Sequence, residues 1–282
     1  MACSAELKRT RFAPSPSGPL HLGHAYAALV AQSRASHAGF LLRIEDIDQS
    51  RCRPQWEAAI LDDLTWLGLV WQTPVWRQSE RLPAYRAALY QLISLGLVYP
   101  CRCRRADIRA ALTAPQEGGP DGPCYPGTCR ARPMSEAGPH DAIRLNMARA
   151  LAHAGTAPLA FTETGPGRAG VHALSQEWML TNCGDVILAR QSLGTSYHLA
   201  VVVDDAAQRI TEVTRGEDLF EATYIHRLLQ ALLALPTPDY HHHRLIRDAA
   251  GKRLAKRDDA RALTKYRAEG ASAQDIRQML GF

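Results

Sequence analysis

The sequence predicts an α/β fold built on a parallel sheet. Short apolar runs suited to buried strands alternate with stretches of helical periodicity, and several of these runs end in turn or acidic clusters. The chain has 282 residues, 46% hydrophobic and 22% charged, as ordinary soluble proteins have. At about 150 residues per domain, that length favours two domains. Such a composition excludes a disordered chain, a collagen-like repeat and a coiled coil. No apolar run is long enough to span a membrane. The opening MACSAELKRTRF lacks an apolar core, so no secretory signal is expected.

The elements follow in order. Residues 9–14 read as a short strand, with the turn-rich PSPSGP after it and a helix from about His24 to Ser36. Phe40 to Ile44 is a buried-strand candidate ending in Glu45, Asp46 and Asp48. Pro54 opens a helix, because its fixed φ suits the first turn. Ala58, Ile60, Leu61, Leu64 and Leu67 then recur at helical spacing. Residues 80–96 repeat the pattern, and Leu97–Tyr99 reads as a strand. Between about Arg104 and His140 the composition becomes that of a loop, dense in Gly and Pro. Ala142–Leu145, Asp185–Leu188 and Leu199–Val203 are further strand candidates. Helical periodicity returns from Leu219 to Leu233, and Asp258 to Phe282 reads as two short helices. There is no internal repeat.

The formal net charge is +5. Basic residues cluster at Lys8, Arg9 and Arg11, at Arg102, Arg104, Arg105 and Arg109, and at Lys252, Arg253, Lys256 and Arg257. One such cluster is usually a solvated face, but three in one chain favour phosphate contacts. The 7 cysteines are an odd number without an export signal, which argues against a disulfide scaffold. Cys101, Cys103, Cys124 and Cys129 crowd together, and thiolates in such a group suit zinc, which would staple the loop. From that chemistry alone the four thiolates form the site. Cys3, Cys52 and Cys183 are scattered and carry no assignment.

Other groups suggest an anionic substrate. RFAPSPSGPLHLGH, Arg11 to His24, runs from a strand through a turn to the head of a helix. A helix N-terminus offers unpaired N–H groups and the positive end of a dipole to phosphate. Gly18 and Gly23 admit a close ligand, and His21 and His24, three apart, share a helical face and can donate to phosphate oxygens. Ligands of open α/β sheets sit at the carboxyl ends of strands, where the acidic group after Arg43-Ile44 could capture an ammonium. Arg11 and Arg215 are candidates for two substrate carboxylates, since guanidinium pairs with carboxylate through two bonds.

These stretches resemble class I aminoacyl-tRNA synthetases of the glutamate-specific branch. RFAPSPSGPLHLGH is similar to that branch's form of the HIGH motif, and RIEDID to its R-[IV]-E-D-x-D. GTSYHLAVVVDD and ITEVTRGEDL resemble it as well. The family implies a Rossmann-like catalytic domain in which Arg11, Phe12, Ala13, Pro14, Ser15, Glu45, Tyr197 and Arg215 bind glutamate. It implies that His21, Gly23, His24 and Lys256 bind ATP, with His21, His24 and Lys256 catalytic. GKRLAKRD resembles the KMSKS motif, with Arg253 for its first Lys and Ala255 for its Ser, departures that predict a modest catalytic cost. Lys256 keeps an ammonium for the developing pyrophosphate. C-x-C…Y-x3-C resembles the zinc site of short paralogues, implying Cys101, Cys103, Tyr125 and Cys129 as ligands and leaving Cys124 as the alternative.

The stretch from Asp258 to Phe282 is too short for an anticodon-binding domain. The resemblance therefore narrows to the glutamyl-queuosine tRNA(Asp) synthetases and covers nearly the whole chain. It implies ATP-dependent, tRNA-independent activation of L-glutamate, with Mg2+ accompanying ATP. Glutamate then passes to the queuosine base at the wobble position of tRNA(Asp), held by its anticodon stem-loop. The expected organisation is 1–98 and 180–245 as the halves of the catalytic domain, 99–179 as a zinc-bearing insertion, and 246–282 as the KMSKS-like loop with C-terminal helices. A cytoplasmic monomer without membrane contact is expected. Three rivals remain: a glutamyl-tRNA synthetase charging a 3′ end, another ATP-using nucleotidyltransferase, and an inactive zinc-bearing RNA-binding protein.

Overall fold

A computed structural model describes residues 7–104, 106–108, 124–190, 193–247 and 261–282. Its centre is a parallel layer in two parts. β1 (Thr10–Phe12), β2 (Phe40–Ile44) and β3 (Gln72–Arg77) pair in that order, all parallel. The second part has the order β7 (Gly170–Ala173), β6 (Ala160–Glu163), β10 (Asp239–His243), β9 (Glu212–Gly216), parallel except for β7. β1 and β9 abut: the Thr211 and Glu212 amides both donate to Arg9 O, at 3.0 and 3.1 Å. The chain order thus reverses direction between β1 and β9, the place where a doubly wound sheet opens a crevice at its strands' carboxyl ends.

Helices cover this layer. Leu22–Arg34 and Pro54–Trp66 pack Leu29, Ile60 and Leu64 against Phe12, Leu42 and Ile44. The C-terminal helices Leu263–Ala268 and Ala273–Leu280 add Leu263, Ile276 and Leu280 to the same core. A second core lies among the helices Leu82–Ser94, Tyr197–Ala207 and Ala222–Leu232.

Leu199–Val203, expected as a strand, lies instead in the helix Tyr197–Ala207, with Ser196 Oγ accepting from Leu199 N at its start. Val201 and Val202 are buried, so tertiary packing overrides the strand preference of a valine run. A third, antiparallel sheet joins β4 (Val98–Cys101), β5 (Ala142–Leu145) and β8 (Ile187–Ala189). Residues 99–179 therefore divide between two sheets: β5 lies in the antiparallel one, while β6 and β7 extend the parallel layer. No helix among the described residues is long and apolar enough to cross a membrane.

Candidate functional site

The crevice is built from strand ends. Arg11 in β1 is buried and held by a fork: Nε and Nη2 donate to Asp205 at 2.9 and 3.2 Å, and Nη1 donates to Thr214 O at 2.9 Å. The loop of residues 13–15 follows, pinned where Glu45 N donates to Pro14 O at 2.9 Å. Glu45 stands just past β2, its carboxylate 3.8 Å from Arg43 Nη2. Burial pushes its carboxyl up to about 7 against the opposing pull of Arg43 and Arg11.

Arg215, in β9, is 6% exposed. Its Nη2 donates to Thr223 Oγ1 at 2.6 Å, its Nε to His242 Nε2 at 3.0 Å, and its Nη1 to His226 Nδ1 at 3.1 Å and Tyr197 Oη at 3.4 Å. Every one of these partners is neutral. Among the described residues no carboxylate lies within ion-pair distance of Arg215, whereas Arg11 shares Asp205 with Arg43 and Arg81 is paired with Asp204. A buried cation without a counter-ion is costly unless a ligand supplies one. Tyr197 is half-buried; desolvation pushes its phenol up, with Arg215 and Arg11 opposing and Glu45 reinforcing. The fold thus brings Arg11, Glu45, Tyr197 and Arg215 near one another: Arg215 bonds to Tyr197, and Arg11 and Glu45 both act on the Tyr197 phenol.

His21 caps the helix Leu22–Arg34 rather than lying within it, so the two histidines meet across the cap, ring centroids 3.8 Å apart. His21 Nδ1 accepts from Gly23 N at 3.1 Å and His24 Nδ1 accepts from His21 N at 3.2 Å. With both Nδ1 atoms accepting, each neutral ring carries its proton on Nε2, the form that donates to a phosphate oxygen. A Cβ on Gly23 would lie 3.0 Å from His21 Cε1, so glycine keeps this turn open. Ala262 pairs with His21 and Leu263 N donates to Leu20 O at 2.8 Å, so the C-terminal segment returns beside the cap. Lys252, Arg253, Ala255, Lys256 and Arg257 lie outside the described residues, as do Arg105 and Arg109.

The cysteines form a second centre. Tyr125 Oη lies 3.3 Å from both Cys101 Sγ and Cys103 Sγ, and Cys103 Sγ is 3.6 Å from Cys129 Sγ. The three sulfurs lie within 4.8 Å of one another. Ligand atoms around a tetrahedral zinc stand roughly 3.5–3.8 Å apart, so three thiols and this phenol fit the ion. Cys124 Sγ faces Leu180 O at 3.9 Å. Burial raises the Cys129 thiol, but hydrogen bonds, led by that from Tyr125, outweigh it and bring the group down to about 7. Arg144 stacks on the Tyr125 ring at 4.0 Å. A cavity of about 1080 Å³ runs from this cluster to Tyr197, lined also by Arg102, Arg104, His140 and Arg190.

The model of the catalytic domain of class I tRNA synthetases (E and Q) matches residues 8–281. The chain belongs to this family. The synthetase is 62% identical to the glutamyl-Q tRNA(Asp) synthetase of Rhodobacter capsulatus, over 96% of this chain and 99% of that one. It is 40% identical to the enzyme of that name from Symbiobacterium thermophilum, covering 94% of this chain and 83% of the relative. A solved glutamate tRNA ligase from Elizabethkingia meningosepticum, in complex with its amino acid, shares the fold with a TM-score of 0.74 at 24% identity. That match covers 98% of this chain, which spans 61% of the ligase. The synthetase is accordingly an ATP-dependent ligase.

Sequence reasoning missed what holds the synthetase's pocket. Arg43 is fully buried, its Nη1 donating to Asp205 and Gln208, each at 2.8 Å. Asp204 accepts from Arg81 at 2.6 Å, Tyr85 at 2.7 Å and Gln78 at 3.1 Å. The available signals were an arginine inside the apolar run FLLRI and an Asp-Asp pair ending an apolar helix, since buried charges demand partners.

Proposed function

We propose that this chain activates L-glutamate with ATP in the absence of tRNA and transfers it to the queuosine base at the wobble position of tRNA(Asp). The observation that carries the reading is Arg215, a buried guanidinium whose hydrogen-bond partners among the described residues are all neutral, beside Tyr197. The names of the similar relatives support the acceptor. Arg215 takes one carboxylate of glutamate and ionised Glu45 takes the ammonium; Arg11, forked onto Asp205, supports the pocket from β1 rather than pairing with the second carboxylate, and Phe12, Ala13, Pro14 and Ser15 form the wall. His21 and His24 donate to the phosphates of MgATP, Gly23 lets them approach, and Lys256 neutralises the leaving pyrophosphate. The α-carboxylate attacks the α-phosphorus, giving glutamyl adenylate. The chain contributes position and charge and forms no covalent intermediate with the substrate.

Zinc held by Cys101, Cys103, Tyr125 and Cys129 would supply a structural cross-link at one end of the large cavity. We assign that cavity to the anticodon stem-loop, whose bases can be splayed and read in a pocket. Arg102, Arg104, Arg105 and Arg109 grip its phosphates. Neutralising this cluster is expected to weaken RNA binding and reduce its salt slope by about one unit per lost contact. Glutamate-dependent pyrophosphate exchange should survive. The deciding assay offers the isolated tRNA(Asp) stem-loop, with and without queuosine, to the enzyme and labelled glutamate. Labelling of the queuosine-bearing loop alone supports the reading; labelling of an intact 3′ end instead makes the chain a glutamyl-tRNA synthetase. We further assign it to the cytoplasm as a monomer.

Glu45 sets a pH dependence. A carboxylate must be ionised to hold ammonium, and burial pushes this one up to about 7. The kcat/KM for glutamate in pyrophosphate exchange is therefore expected to rise with pH through about 7, and Glu45→Gln to remove that limb. Stability moves oppositely: what the neutral group leaves intact below its ordinary 4.5 is lost as pH rises through about 7. A kcat/KM profile that is level across that range would remove Glu45 from ammonium binding.

A further inference from the structure

Arg215 is held from behind by a line of side chains reaching β10 and β6. Glu163, in β6, is 2% exposed. Its Oε1 accepts from Gly165 N at 2.6 Å and from His242 N at 2.9 Å, and its Oε2 meets His242 Nδ1. Burial raises the Glu163 carboxyl, but the hydrogen bonds from His242 outweigh it and keep it below the ordinary value. A carboxylate only accepts, so His242 Nδ1 carries the imidazole proton. Burial also lowers His242 to about 4, against the pull of Glu163, so at neutral pH the ring has no second proton. His242 Nε2 is therefore a lone pair, and it takes the Nε–H of Arg215 at 3.0 Å.

The other side of the guanidinium obeys the same logic. Guanidinium only donates, so His226 Nδ1, 3.1 Å from Nη1, is an acceptor and its proton sits on Nε2. That proton has an acceptor in His198 Nδ1 at 3.0 Å. The approach of Glu163 to β10 needs a residue without a side chain: a Cβ on Gly165 would lie 2.3 Å from His242 O and 2.7 Å from Glu163 Oε1.

We infer that Glu163, acting through His242, is a positioning residue for amino-acid binding: it fixes the imidazole proton away from Arg215, and His226 presents its own lone pair from the opposite side. The cradle thereby orients the guanidinium by hydrogen bonds alone and leaves its charge for the ligand. A carboxylate in place of either histidine would orient Arg215 equally well but neutralise it, as Asp205 does for Arg11. The inference rests on the reading of Arg215 as the group that takes a glutamate carboxylate.

The test is Glu163→Gln, an isosteric change. The oxygen that accepts the two backbone N–H groups stays in place, and the amide NH2 replaces Oε2. The NH2 offers a hydrogen to His242 Nδ1, which drives the ring proton to Nε2, donor against donor with Arg215. The glutamate KM in pyrophosphate exchange is expected to rise about tenfold to a hundredfold, the range for a buried hydrogen bond to a charged group. The ATP KM should hold. Imidazole 15N spectra should show His242 as the Nδ1–H tautomer in the unaltered protein and as Nε2–H in the variant. They should show His226 as Nε2–H in the unaltered protein. The unaltered protein alone can overturn the relay: His242 found there as Nε2–H, or His226 as Nδ1–H, does so whether or not the variant folds. A variant whose His242 tautomer stays unswitched overturns it too. A switched tautomer with an unmoved glutamate KM instead overturns the assignment of Arg215 to the substrate, and with it the functional part of the inference.

Discussion

Arg215→Ala is expected to abolish glutamate-dependent pyrophosphate exchange at ordinary glutamate concentrations while leaving the KM for ATP within about twofold. Removing one partner of a buried, hydrogen-bonded charge pair costs about 2–5 kcal/mol, or roughly 30- to 4,000-fold in kcat/KM for glutamate. The upper half of that range applies here, because the neighbouring guanidiniums among the described residues are already paired with carboxylates. Arg11 is already forked onto Asp205, and Arg43 is enclosed by Asp204, Asp205 and Glu45. Arg215→Lys restores the charge but not the fork, since an ammonium cannot reach His242, His226 and Thr223 in one plane. It should recover only part of the loss. Thermal unfolding separates function from scaffold. The variant removes a buried cation that has no counter-ion in the free protein, so Tm should hold while activity falls. Unchanged glutamate kinetics with a lowered Tm would make Arg215 a structural residue.

The second large effect concerns the cysteine centre. One zinc per chain is expected in the purified protein, and Cys103→Ser should eliminate it. Cys103 Sγ touches both Tyr125 Oη and Cys129 Sγ, so its loss opens the cluster on two edges. Structural zinc contributes about 10–16 kcal/mol of apparent binding energy, which here is available to fold the segment between β4 and β5. Without it, the two buried thiols of Cys101 and Cys129, the half-buried thiol of Cys103 and the Tyr125 phenol lose their common ligand, and the wall of the large cavity beside Tyr125 should come apart. Glutamate activation should largely persist, and transfer to RNA should be lost. Tyr125→Phe should bind zinc more weakly, while Cys124→Ser should bind it normally, because Cys124 Sγ faces Leu180 O. Zinc retained in Tyr125→Phe and lost in Cys124→Ser would reverse that assignment.

Much of the parallel layer was legible because its first strands are short apolar runs next to turn signals. β1, β2 and the helix opened by Pro54 announce themselves in this way. β10 does not: DYHHH has no apolar alternation, and it becomes a strand only by lying between β9 and β6. β3 is similarly half-exposed and carries a proline. Arg11, Glu45, Tyr197 and Arg215 were singled out largely through family resemblance, and the fold places them near one another. Their supports were not visible. Asp205 meets Arg11 across 194 positions, and Glu163 meets His242 across 79, distances over which no local pattern operates. Whether a histidine donates or accepts also depends on its neighbours in space, and no periodicity encodes that.

The seam between β1 and β9 joins residues that are about 200 positions apart, since Arg9 N donates to Thr211 Oγ1 at a separation of 202. A chain emerging from its N-terminal end makes β1, β2 and their helices long before β9 exists. Until then Arg11 and Glu45 stand without Asp205, Tyr197 and Arg215, and the proposed amino-acid pocket is half made. Contacts this distant in sequence are paid for in chain entropy before they return anything, and they slow folding. For most of its synthesis the nascent chain therefore carries an acid-and-base pair with no pocket around it, incapable of holding an amino acid. On the proposed reading, substrate binding therefore arrives late, when the second half of the layer docks along Arg9.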